Sequence, residues 1–331
     1  MPYPPLTQGH PPPPLTSPSG FEAIRWPAET IRVRPPRRKF SHRWWVHIVL
    51  FLLTLLFTTA VGALHYHSFI SEFGRKPVLL TWGSMINGLW YSLTLLGILG
   101  AHEFGHYYFC RRYNIDASLP YFLPAPLPLT GTLGAVIKIR EPFPNRTVLF
   151  DIGVGGPIAG FLVLVPALFF GMSMSEVVAV PTGASVFYLG EPLLFQWVAA
   201  LNFGKVADHL TINIHPMVFA AWFGMLATAL NLLPFGQLDG GHITYATLKR
   251  WSTPISLATV GVAIAMTYNS ASWMFMTLMM VAMLVLLGAR HPRVLWEEDP
   301  LPPSRYVVAV LALVIFIICF TPVPIDTLVN S

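Results

Sequence analysis

"LLGILGAHEFGHYYFC", residues 95–110, places two histidines and a glutamate at the end of a long apolar run. Ionisable groups are costly inside a bilayer, so each one there needs a partner, a metal or a task. His102 and His106 stand four residues apart, and a helix would put both imidazoles on one face, able to ligate one zinc ion. Glu103 points aside from that axis and can take a proton from a water the metal activates. The competing reading is two structural histidines near the membrane interface.

Composition supports a membrane setting. Of 331 residues, 54% are hydrophobic and only 11% charged, and the mean hydropathy is +0.59. Those values exclude an ordinary soluble domain and favour one polytopic bundle. The net charge of +5 is not a nucleic-acid signature, and no nucleic-acid partner is expected. Arg25, Arg32, Arg34, Arg37, Arg38, Lys39 and Arg43 lie just ahead of the first apolar run, where they fit the membrane orientation rule. Cys110 and Cys319 sit inside or beside apolar runs, so neither a disulfide framework nor a cysteine metal site is expected.

Spans of about 20 apolar residues are expected at roughly 45–66, 84–110, 150–172, 216–234, 254–269, 271–289 and 305–321. The fold class is thus an all-α polytopic membrane bundle of about seven transmembrane helices. "PLLFQWVAALNF" (192–203) is too short to span and suits an interfacial or re-entrant piece, and "TYNSAS" (267–272) is a turn. The basic cluster puts the N-terminal side in the cytoplasm. Seven crossings then make loops 111–149, 235–253 and 290–304 cytoplasmic, and these carry most of the remaining Lys and Arg. "PYFLPAPLPLTGTLGAVIKIR" cannot stay helical through its prolines. Its β-branched segment Ala135 to Arg140, beside Gly131 and Gly134, reads as a short hairpin or strand at the membrane edge, with an irregular loop as the alternative.

Two histidines leave zinc under-coordinated, since a hydrolytic site normally has three protein ligands and a water. "ATALNLLPFGQLDGGH" (227–242) supplies Asn231, Pro234 and Asp239 at the end of another span. Asp-Gly alone would be an ordinary turn. The second and fourth spans run in the same direction, however, so their polar motifs fall at similar depth, and Asp239 is the expected third ligand. Small residues at four-residue spacing would let these spans approach: Gly97, Ala101 and Gly105; Ala220, Gly224 and Thr228; Gly156 and Gly160. Pro157 makes a kink an equal reading of the last pair, and Asp151 reads as the cap of the third span. His242 is open between a role near Asp239 and a plain interfacial histidine.

HEFGH on one span and Asn231-Leu-Leu-Pro234-Phe-Gly-Gln-Leu-Asp239-Gly240 on a later one resemble the site-2 protease family of intramembrane zinc metalloproteases. "GVGGPIAGF" (153–161) resembles that family's Gly-Pro signature, and the likeness covers residues 84 to 250. The resemblance implies that His102, His106 and Asp239 bind one Zn2+ per chain. It also implies that Glu103 is the catalytic base and that Asn231 stabilises the oxyanion or positions substrate. For Asn231 an interhelical hydrogen bond stays open. The expected substrates are membrane proteins with a transmembrane segment, and the bilayer is the expected environment. Family members are thought to hold an unwound substrate segment on a β-hairpin, a role open to the strand around Ala135 to Ile139. Many relatives carry a PDZ domain after the Gly-Pro span, but residues 173–215 are too few for one.

These readings divide the chain into a disordered, Pro-rich basic cytoplasmic tail (1–43), a first transmembrane helix and loop (44–83), a catalytic membrane core (84–250) and C-terminal transmembrane helices (251–331). Two other classes compete. A di-iron oxidase needs about eight histidines in several boxes, and no HxxHH occurs. A catalytically inactive relative would not need Glu103, and a metal transporter would want polar groups along a whole pathway.

Overall fold

The first apolar run forms α1 (Trp44–Ile70). The second is split at Gly88 into α2 (Trp82–Asn87) and α3 (Leu89–Arg112), and the third forms α4 (Arg146–Ser173). These three stretches are long and apolar enough to cross a membrane. The computed structural model describes residues 39–79, 81–180, 187–270, 272–288 and 291–327; most of the expected N-terminal tail (1–43) lies outside them.

The other four expected spans appear as shorter helices: α6 (Pro216–Asn231), α8 (Ser252–Asn269), α9 (Ser272–Leu287) and α10 (Pro303–Cys319). Their 16 to 18 residues fall short of the usual span of about 20. For α6 the cause is local: Pro234 disfavours helical backbone at Leu233, so the helix stops at Asn231. Between α4 and α6 lies α5 (Leu193–Phe203), whose 11 residues cannot span, and α7 (Asp239–Leu248) follows the turn after α6.

The chain is not purely α-helical. A hairpin forms where one was expected, but its strands are β1 (Tyr121–Pro124) and β2 (Thr132–Val136), with Tyr121 opposite Val136 and Phe122 opposite Ala135. The expected strand at Ala135 to Arg140 is therefore shifted toward the N-terminus. Pro120 has no N–H for a continuous ladder, and beyond Val136 the pairing persists only as an isolated Ala117–Ile139 bridge and single hydrogen bonds. Two further antiparallel pairs were not anticipated. They join β3 (Glu176–Ala179) to β5 (Leu210–Asn213), and β4 (Phe187–Leu189) to β6 (Ile325–Thr327).

The main core lies between α4, α5, α6 and α10. Phe150, Leu164, Leu168, Trp222 and Ile315 are buried there. The Trp222 indole donates to the Gly190 carbonyl at 2.7 Å, which satisfies its one polar atom. On the other side of α3, the Thr58 and Ser92 hydroxyls share a 2.7 Å hydrogen bond that ties α1 to α3.

Helix α3 meets α4 with almost nothing between the backbones. A Cβ added to Gly105 would overlap the Gly155 carbonyl oxygen and come to 2.9 Å from Ala159 Cβ. Such backbone approach is how helices pack in lipid, where no hydrophobic force drives them together. Of the small residues expected on this face, Gly97 does not take part: its nearest neighbour would be Val163 at 3.9 Å, ordinary contact. On α6, Gly224 accommodates Ile98 of α3.

Asp151 does not cap α4. Asn145 does, accepting from the Val148 amide at 3.0 Å. Asp151 lies inside the helix and binds Arg305 at the start of α10, at 3.1 and 2.9 Å. It also accepts a 2.5 Å hydrogen bond from the Tyr113 hydroxyl. Burial and the neighbouring carboxylate push the Tyr113 phenol above its ordinary value, so it remains a donor. One carboxylate thus joins the end of α3, the first turns of α4 and the start of α10.

Gly105→Ala should lower the thermal midpoint of the detergent-solubilised protein, with an overpacking cost of about 1–3 kcal/mol. Gly97→Ala should leave it near wild type. Equal midpoints for the two variants would contradict the packing described.

Candidate metal centre

Helix α3 delivers both histidines of HEFGH to one buried face. The His102 and His106 Nε2 atoms lie 3.1 Å apart. Asp239, the first residue of α7, meets them: its Oδ2 is 3.1 Å from His102 Nε2, and its Oδ1 is 3.3 Å from His106 Nε2. The sequence-predicted ligands, 133 positions apart between His106 and Asp239, are brought together.

Hydrogen bonding sets what these atoms can do. His106 Nδ1 donates to the Ile152 carbonyl of α4 at 2.7 Å, so the proton sits on Nδ1 and Nε2 offers a lone pair. The Asn231 amide Nδ2 lies 3.3 Å from His102 Nε2, as a donor to a nitrogen that is itself an acceptor. Asp239 Oδ2 is buried without a hydrogen-bond donor. Two imidazole Nε2 atoms and one carboxylate therefore converge within 4.8 Å of one another, a donor set that a cation fits. Tetrahedral zinc with nitrogen and oxygen ligands separates neighbouring ligand atoms by about 3.3 Å, close to the spacings found.

Glu103 is also buried, 8% exposed, one position around the helix from His102. Its carboxylate is within reach of the Ile137 backbone amide, just past the end of β2. Phe122 of β1 packs 3.5 Å from where a Cβ on Gly100 would stand, so the hairpin lies along the same helix.

The Gly-Pro segment of α4 has a role that residue spacing alone did not assign. A Cβ on Gly156 would fall inside the His106 ring, and one on Gly160 would stand 3.1 Å from His102 Cβ. These two glycines are the recess that accepts the imidazoles, in addition to letting helices approach. The signal was in the sequence: Gly156 and Gly160 repeat the four-residue spacing of His102 and His106. Ile152, by contrast, acts through a backbone carbonyl, which no residue identity encodes. His242, one turn after Asp239, is held by a 2.6 Å Nδ1 to Nε2 hydrogen bond with His291 and packs over Gly153.

Comparisons with known proteins agree with this layout. The family model described as Peptidase family M50 matches residues 90–276. The chain is 28% identical over 242 residues to the probable zinc metalloprotease EGY2, chloroplastic, of Arabidopsis thaliana, covering 72% of this chain and 42% of that protein. It is 30% identical over 246 residues to the EGY2 of Oryza sativa subsp. indica, covering 72% and 44%. The probable zinc metalloprotease EGY1, chloroplastic, of Arabidopsis thaliana is 35% identical over 156 residues, 45% of this chain and 27% of that one. The chain thus spans less than half the length of these relatives. No solved structure matches. The chain belongs to peptidase family M50, the site-2 protease family that its paired motifs resemble.

Proposed function

We propose that this protein is an intramembrane zinc endopeptidase that hydrolyses peptide bonds within or near transmembrane segments of other membrane proteins. The observation that carries the reading is the convergence of His102, His106 and Asp239, their ligand atoms within 4.8 Å of one another, beside the buried Glu103. The relatives' names, which call them probable zinc metalloproteases, support the choice of zinc.

A zinc ion held by the two Nε2 atoms and the Asp239 carboxylate would supply Lewis acidity and lower the pKa of a water toward neutrality. Glu103 takes the proton of the attacking water and passes it to the departing amine. Asn231 offers its amide to the oxyanion that develops on the scissile carbonyl. Its approach to His102 also positions that ring, so both roles expected for it lie within its reach.

A helical substrate hides its peptide bonds and has to be opened. Helix α1 covers β1, whereas β2 pairs only with β1 among the described residues and exposes Leu133 and Val136. We assign β2 as the edge that takes an unwound segment by strand addition, leading it past Ile137 toward Glu103. Residues 84–250 form the catalytic core in this reading. In this reading the shorter helices α6, α8, α9 and α10 complete seven crossings in the bilayer, and the basic loops favour a cytoplasmic N-terminal side and metal centre.

Three variants test the reading on a single-span membrane substrate. Glu103→Gln should retain one zinc per chain and lose cleavage by at least about a hundredfold, the lower range for removal of a general acid-base. Full cleavage by this variant would end the proposed mechanism. Asp239→Asn should lose most bound zinc, measured by elemental analysis after dialysis. Val136→Pro should keep its zinc but cleave poorly, and unchanged turnover would remove β2 from the substrate path.

A further inference from the structure

A second concave site lies on the opposite flank of α3 from the metal centre. It is a groove of about 720 Å³ between α3, α4 and α10. Phe104 and Tyr108 of α3, Ile158 and Leu162 of α4, and Val308 of α10 form its apolar wall. Phe104, Tyr108 and Leu162 are 51%, 59% and 68% exposed, so no part of the described protein covers it. On α3, Phe104 and Tyr108 face about 140–180° away from the metal ligands, and neither His102 nor His106 lines the groove.

One end of the groove is polar. Asp151, Ser304 and Arg305 close it. Arg305 grips Asp151 through Nε and Nη2, while its Nη1 reaches only the Ser304 hydroxyl at 3.2 Å. The α3 stripe of Ala101, Gly105 and Tyr108 continues in register to Arg112, which is exposed and has no ion-pair partner among the described residues. Asp151 neutralises Arg305, and Arg112 leaves this end with a net positive charge. An apolar trough of membrane-spanning helices that ends in guanidinium and hydroxyl donors is complementary to an amphiphile with an anionic head.

We propose that this groove binds one anionic phospholipid, its acyl chains along Phe104, Leu162 and Val308 and its phosphate among Ser304, Arg305 and Arg112. The charge at the polar end favours this occupant over a partner helix, because an apolar transmembrane segment would leave the exposed Arg112 guanidinium without a counter-charge, whereas a phosphate head supplies one. The lipid would rest directly on the helix that carries HEFGH, against the face formed by Ala101 and Gly105. The proposal depends on membrane residence and not on proteolysis, so it survives or fails independently of the function proposed above.

The test uses the full chain in nanodiscs of phosphatidylcholine with phosphatidylglycerol as a minority component. After partial delipidation, native mass spectrometry should show one phosphatidylglycerol retained per chain. A diazirine-bearing phosphatidylglycerol should crosslink to peptides containing residues 104–108 and 158–162. Arg112→Gln should reduce the preference for phosphatidylglycerol over phosphatidylcholine by about fivefold, the worth of one cation at a membrane surface. Leu162→Trp, which fills the trough, should lower both retention and crosslinking. Equal retention of the two lipids by the wild type would mean ordinary annular lipid and would overturn the proposal. So would crosslinks confined to other helices, or a transmembrane peptide found in the groove. If Leu162→Trp melts abnormally, the Arg112→Gln arm and the crosslinking map decide the matter alone.

Discussion

The backbone-to-backbone contact of α3 with α4 governs the rest of the molecule. Gly105 and Gly155 allow it, and from the very next position Gly156 and Gly160 turn the same proximity into room for two imidazoles. The helix that receives the rings also orients one of them, through the Ile152 carbonyl. Packing in lipid gains little from apolar burial between helices, so close van der Waals contact and a few buried hydrogen bonds must hold the pair together. The Tyr113, Asp151 and Arg305 cluster reinforces this junction from its polar end.

The long spans and the side chains that meet at the candidate metal centre were legible in the sequence because each carries a chemical signature. Twenty apolar residues announce a membrane helix, and His102, Glu103, His106 and Asp239 are rare groups in such surroundings. The three long helices and the meeting of His102, His106 and Asp239 appear as expected. What was not legible depends on partners remote in sequence. Asp151 looked like a cap because it stood near a helix start, but its actual partner, Arg305, is 154 positions away. The ladder of β4 with β6 likewise joins segments on either side of six intervening α-helices. The shift of the hairpin register came from Pro120, whose missing N–H matters only once its partner strand is known.

Gly97 and Gly105 show the same limit at a finer scale. Both sit on α3 at small-residue spacing, yet only Gly105 is pressed against another backbone. Sequence spacing identifies a face of a helix; the crossing point along that face is decided by the angle between the helices. The catalytic-looking face and the groove face of α3 are likewise interleaved in one heptad, and only the packing of α4 and α10 tells them apart.

The convergence of His102, His106 and Asp239 also sets an order of events during synthesis. The histidine pair and its glycine recess are complete once α4 has entered the bundle. The aspartate arrives only after a further stretch of chain has been made and turned through Pro234 and Gly236, where the backbone adopts φ of 51°. A nascent or truncated chain therefore holds two loosely competent nitrogens and no third donor. The complete His-His-Asp set is thus a late product of assembly, formed only once α7 has joined α3 and α4.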